Sequence, residues 1–115
     1  MAYYHLSYDV KDSKKTDTEK FRRKVVKCLL DSTINATGLK QPVATTITFH
    51  CGCDFIALKP KIQKCMGAES FYILSRVWYA DNCVHWDNQG NPELQKDFNK
   101  LVEEVKAEIA SEKKE

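Results

Sequence analysis

Three segments of this chain alternate apolar and polar residues with the periodicity of a strand, and stretches of helical periodicity lie between them. That interleaving constrains the fold most, because strand side chains alternate between faces whereas those of a helix return about every 3.6 residues. In Tyr3–Val10 (YYHLSYDV), Tyr4, Leu6 and Tyr8 share one face, Tyr3, His5 and Ser7 the other, and Asp9 ends the strand. Val43–Cys51 (VATTITFHC) is β-branched and alternating, the strongest strand signal in the chain. Phe71–Tyr79 (FYILSRVWY) is the third. Ser32–Ala36 reads as a short additional strand with Gly38–Pro42 as a turn, and Cys83–Trp86 as a segment that pairs back on the third strand.

The helical stretches carry their own punctuation. Thr16-Asp17-Thr18-Glu19 has the form of a capping box, in which hydroxyl and carboxylate satisfy amides that a helix start leaves unpaired. The helix it opens, Asp17–Leu30, gathers Phe21, Val25, Cys28 and Leu29 on one face, widened by Val26 and Leu30. In Cys53–Met66 the apolar spacing is helical, but Pro60 forces either a start near that residue, with Asp54–Leu58 extended, or a kink there. Gly67 supplies the left-handed cap that ends it. Asn91-Pro92 opens a last helix whose Leu94, Phe98, Leu101, Val102, Val105 and Ile109 form one apolar stripe. Such a stripe must cover a sheet or a partner.

The order β-α-β-(β)-α-β predicts an α+β fold: a ferredoxin-like βαββαβ sandwich with an additional C-terminal hairpin strand and an amphipathic helix. Residues 1–92 form the core and 93–115 the helix and charged tail of a single domain. One sheet face takes the first two helices; the other is left for a second subunit or the last helix. A length of 115 residues suits one domain, and 43% hydrophobic with 30% charged residues excludes a largely disordered chain. No apolar run approaches the roughly 18–20 residues of a membrane span, so no membrane partner is expected. MAYYHLSYDV has no basic segment followed by an apolar one, so no secretory signal is expected and the cytoplasm is the predicted compartment. There the five cysteines stay free or bind metal. No internal repeat is read. Residues 93–115 hold five lysines and seven acids, so the net charge of +2 conceals a basic core and an acidic tail.

The layout and the strand end Ser7-Tyr8-Asp9-Val10 resemble the small, non-catalytic subunit of CRISPR adaptation and its shorter relatives, a fold similar to that of the endoribonuclease GhoS. The basic helix Asp17–Leu30, Thr45-Thr46-Ile47-Thr48-Phe49, the helix Pro60–Met66 and Phe71-Tyr72-Ile73-Leu74 follow in the family's order; Tyr79–Glu115 departs from it. The resemblance implies a homodimer that contacts nucleic acid, with Asp9 as the catalytic, metal-proximal carboxylate and two copies meeting around Mg²⁺. Magnesium prefers hard oxygen ligands and keeps waters able to attack phosphorus. Asp9 as a plain cap of the strand-to-loop turn is the alternative.

Lys11–Lys27 holds eight basic residues against three acids. Lys11, Lys14, Lys15, Lys20, Arg23, Lys24 and Lys27 are the candidate nucleic-acid contacts, since such a face neutralises phosphates whatever the base sequence. A solvated helix face is the other reading. Arg76, Trp78, Tyr79 and Trp86 are the candidate partner-binding residues, of types enriched at interfaces, although aromatics on a sheet also stack on bases. His50, Cys51, Cys53, Cys65, Cys83 and His85 match no paired zinc knuckle, so no zinc site is expected, and Cys51 shares the face of Ile47 and Phe49.

Two functions follow. One is a small dimeric nucleic-acid-associated protein of a defence or toxin–antitoxin system, a magnesium-dependent endonuclease if it is an enzyme. The other is a non-enzymatic, protein-binding inhibitor or antitoxin that uses Trp78–Trp86 and the last helix.

Overall fold

The computed structural model describes residues 2–10, 15–68, 70–77 and 89–113. Its elements are β1 (Ala2–Val10), α1 (Lys15–Leu29), β2 (Thr37–Val43), β3 (Thr46–Cys51), α2 (Phe55–Met66), β4 (Ser70–Val77) and α3 (Pro92–Lys113). The strands form one antiparallel sheet in the order β2-β3-β1-β4. The result is an α+β domain of four strands and three helices among the described residues, compatible with the ferredoxin-like layout expected from the sequence.

Register follows from the alternation. Tyr4 faces Phe49 and Leu6 faces Ile47 across β1–β3, while Leu6 faces Leu74 and Tyr8 faces Tyr72 across β1–β4. A one-residue slip would turn every one of these side chains to the wrong side. Tyr4 and Phe49 stack at 5.6 Å between ring centroids, and Val25, Val26 and Leu29 of α1 join them in one buried cluster. Leu58, Ile62, Cys65 and Met66 of α2 belong to the same cluster, as do Phe98, Leu101, Val102 and Val105 of α3. The apolar stripe of α3 is therefore spent on the same sheet face as α1 and α2. Tyr3, His5, Ser7 and Asp9 lie on the opposite face with Thr48, His50, Phe71 and Ile73, and no element among the described residues covers it.

Several expectations are corrected. Ser32–Ala36 is a turn, not a strand: the Asp31 carboxylate accepts from the Thr33 amide at 2.9 Å and Asn35 takes φ 52°. Gly38–Pro42 lies inside β2, and Val43 ends that strand, with Ala44-Thr45 as the turn to β3. Gly38 and Pro42 suggested a turn because they break regular strands; here they sit on an edge strand with two register shifts against β3, where both are tolerated.

Helix α2 starts at Phe55, with the Asp54 side chain accepting from the Ala57 amide at 2.8 Å, and Pro60 lies within it. Asp54–Leu58 is thus not a return strand. The proline is exposed, so the carbonyl it leaves unpaired faces water. Gly67 closes α2 where its sequence position suggested, but at φ 67° and ψ −174°, a region open essentially to glycine alone and not the left-handed helical cap expected. Helix α1 begins at Lys15, which puts Thr16 in the first turn instead of at the cap. The expected strand Cys83–Trp86 lies outside the described residues.

Candidate functional site

The two halves β1-α1-β2 and β3-α2-β4 exchange places without changing the strand order, so α1 and α2 occupy equivalent positions. Each carries a pentad of the pattern Lys-aliphatic-x-Lys-Cys before its last residue: Lys24-Val25-Val26-Lys27-Cys28 in α1 and Lys61-Ile62-Gln63-Lys64-Cys65 in α2. The two cysteines are joined in a disulfide with Cα atoms 6.1 Å apart. This corrects, for Cys28 and Cys65, the expectation that the cysteines stay free or bind metal. Residues 37 positions apart pair because the topology lays these helices side by side, which spacing along the chain does not reveal.

The disulfide lines a cleft of about 640 Å³ with Lys24, Lys27, Lys61 and Lys64, and Asp31 is its acidic lining residue. Lys24 and Lys61, four positions before each cysteine, fall on that cysteine's side of its helix, while Lys27 and Lys64, one position before, flank it about 100° round the axis, and all four reach the cleft. Two helix C-termini carry only about half a negative charge each, too little to balance four ammonium groups. Lys27 is partly engaged elsewhere, donating to Glu108 at 3.1 Å and Glu112 at 2.7 Å on α3. Lys61 donates to the Thr33 carbonyl at 2.7 Å and lies 3.8 Å from the Cys53 sulfur. Asp31 is held below the usual carboxylate range, chiefly by hydrogen bonding from Thr33. Lys24 and Lys64 are exposed and meet no acid among the described residues.

The other flank of α1 behaves differently. Arg23 reaches Glu104 at 3.1 Å and Glu108 at 3.0 Å. Hydrogen bonds from Lys27 and Arg23 hold the Glu108 carboxyl below its ordinary range and raise both bases. The acidic tail thus neutralises part of the basic helix face. Of the seven basic candidates, Lys24 and Lys27 line the cleft, Lys20 is exposed farther up α1, and Arg23 is turned to α3. Lys11 and Lys14 lie outside the described residues, as does the side chain of Lys15. Lys61 and Lys64 escaped sequence reasoning because it looked for a run of charge; the signal was the repeated pentad.

Asp9 is exposed at the end of β1, opposite Phe71 in register. Among the described residues no three His, Cys, Asp or Glu side chains cluster as a metal site. A single carboxylate does not complete a magnesium site in one copy of the chain, so no metal-dependent step is derived from it. Arg76 is half-buried on the helix-side face, opposite Tyr4 in register. Trp78, Tyr79 and Trp86 lie outside the described residues, as do Cys83 and His85. Cys51 is fully buried beside Phe49 and Ile47, and burial pushes its thiol pKa up.

On the sheet face opposite the helices, where Thr48 is fully buried, the ring of Tyr3 lies 4.7 Å from that of His50, and Ser7 and Thr46 share a hydrogen bond of 2.9 Å. Phe71 and Ile73 expose 64% and 68% of their surfaces. Behind the sheet a part-buried polar network holds the β2–β3 turn: Arg22 donates to the Gln41 side-chain oxygen Oε1 at 3.2 Å, and Gln41 Nε2 donates to the Ala44 backbone carbonyl at 2.9 Å. Burial pushes the Tyr8 hydroxyl pKa up to about 12. No described helix is long and apolar enough to cross a membrane. Comparison with protein-family models, with curated proteins and with solved structures gives no match.

Proposed function

We propose that this chain is a ferredoxin-like nucleic-acid-associated protein that holds a phosphate backbone in the cleft between α1 and α2. The observation that carries the reading is the convergence of Lys24, Lys27, Lys61 and Lys64 on one concave surface whose acidic lining among the described residues is Asp31, with Lys27 also paired to Glu108 and Glu112. Ammonium groups bind phosphate as point charges and release counterions, which gives affinity that is blind to sequence and steep in salt. The proposed kinship with the CRISPR-adaptation subunit and GhoS-like proteins rests on layout and on the Tyr8-Asp9-Val10 strand end.

Fluorescence anisotropy with a labelled single-stranded oligonucleotide tests it. Lys24→Glu/Lys64→Glu should weaken binding at least tenfold at about 50 mM salt and lower the salt slope by about one for each phosphate left without its lysine. Lys96→Glu/Lys106→Glu, with the same net charge but on α3, should bind like the parent. Equal losses in both variants would reduce the cleft to a contributor of general charge. Magnesium-dependent strand cleavage that disappears in Asp9→Ala would extend the reading to a phosphodiesterase.

A second reading, the docking of a protein partner or a second copy, is favoured by the exposed Phe71 and Ile73 on a sheet face that no described element covers. Apolar side chains this exposed and adjacent mark interaction sites. If a second copy docks there, light scattering should show a dimer that Phe71→Ser/Ile73→Ser converts to monomer with little change in melting temperature. A parent chain that is monomeric at tens of micromolar would remove the dimer.

A further inference from the structure

The cysteines of the cleft lie where they can control it. Cys28 and Cys65 each precede the last residue of their helix, and each follows a lysine directly. The hydrogen bonds and ion pairs described for Arg22, Arg23 and Lys27 run to β2 and α3, and those of Lys61 to Thr33 and Cys53. The covalent tie between the two lysine-bearing turns is the disulfide, beside the apolar packing that both helices share. Lys24, Lys61 and Lys64 have no carboxylate partner among the described residues and repel one another, so a covalent bond that fixes the helices at 6.1 Å between Cα atoms keeps the lysines converged against that repulsion. Cys28 is only partly buried and forms part of the cleft wall, so a reductant can reach the bond.

We propose that the Cys28–Cys65 bond is a redox switch on the cleft: the disulfide holds the four lysines in a phosphate-binding array, and reduction disperses them. This inference deepens the proposed function and rests on it for the identity of the natural ligand. A dithiol reductant supplies two electrons. Its thiolate attacks one sulfur, the Cys28–Cys65 bond breaks through a mixed disulfide, two protons are taken up, and the chain is left with two thiols while the reductant becomes a disulfide. The two thiols then need van der Waals separation where a bond stood. No covalent tie then holds Lys24 and Lys27 against Lys61 and Lys64, and the local potential that attracts phosphate falls.

The test measures full-length protein, air-oxidised or reduced with dithiothreitol, against two probes: a labelled single-stranded oligonucleotide and inorganic pyrophosphate. The expected result is at least fivefold tighter binding of pyrophosphate by the oxidised form. Cys28→Ser/Cys65→Ser should match the reduced form and ignore the reductant. Equal affinity in both forms, tighter binding by the reduced form, or no pyrophosphate binding in either overturns the switch. A reduced form that unfolds, seen by circular dichroism, also overturns it and leaves the bond as a structural staple. If pyrophosphate shows the redox difference but the oligonucleotide binds in neither form, the switch stands and the nucleic-acid reading fails.

Discussion

Phe98→Ala is expected to destabilise the fold by about 3–5 kcal/mol, the range for truncating a fully buried aromatic. Phe98 is completely inaccessible and belongs to the same cluster as Tyr4, Leu6 and Ile47. Its loss leaves a cavity under α3 that Leu101 and Val102, each still slightly exposed, cannot fill without moving the helix. Against a total stability of about 5–15 kcal/mol for a typical domain, that is a large fraction. Urea unfolding followed by circular dichroism reads it directly. A midpoint close to that of the parent would mean that α3 is an appendage whose removal the sheet tolerates. The ion pairs from Arg23 and Lys27 to Glu104, Glu108 and Glu112 would not rescue the variant. They are exposed, and exposed pairs contribute far less than a buried ring.

The second large effect concerns the disulfide. Cys28 and Cys65 close a loop across 37 positions, for which the chain-entropy relation gives about 3–4 kcal/mol of stabilisation. Reduction should therefore lower the melting temperature by on the order of 10 °C, while the sheet and its buried cluster keep the chain folded at 25 °C. Differential scanning calorimetry of oxidised and reduced protein checks this, with alkylation and mass measurement to count thiols. Oxidised protein that alkylates at Cys28 and Cys65 would remove both this prediction and the clamp on the cleft.

The sequence showed its periodicities plainly and its long-range pairings hardly at all. β1, β4 and α3 were legible because each alternates or repeats on one face, and burial imposes that pattern whatever the partner. β2 was misread because Gly38 and Pro42 look like a turn, and only an edge position with register shifts accommodates them in a strand. The start of α2 was hidden by Pro60, which suggests a first helical position but lies inside a helix that is already capped at Asp54. For the cleft, half the lysines were found from the local charge of α1. Lys61 and Lys64 became relevant only when the topology set α2 beside α1 and the cysteines met. The exposed apolar pair Phe71 and Ile73 could be placed on a strand, but which face the described helices leave to them depended on where α3 docked.

The two borders of the sheet have different consequences for assembly. Along β2 the Gln41 backbone amide is capped by the Gln95 side chain of α3 at 2.9 Å, Pro42 has no amide to offer, and the register is broken twice. Along β4, the other border among the described residues, eight residues run without proline or lysine. Pairing of two copies along β4 would leave β2, closed by Pro42 and Gln95, as both outer borders, so such pairing would end in a closed two-fold pair and would not grow into a fibre.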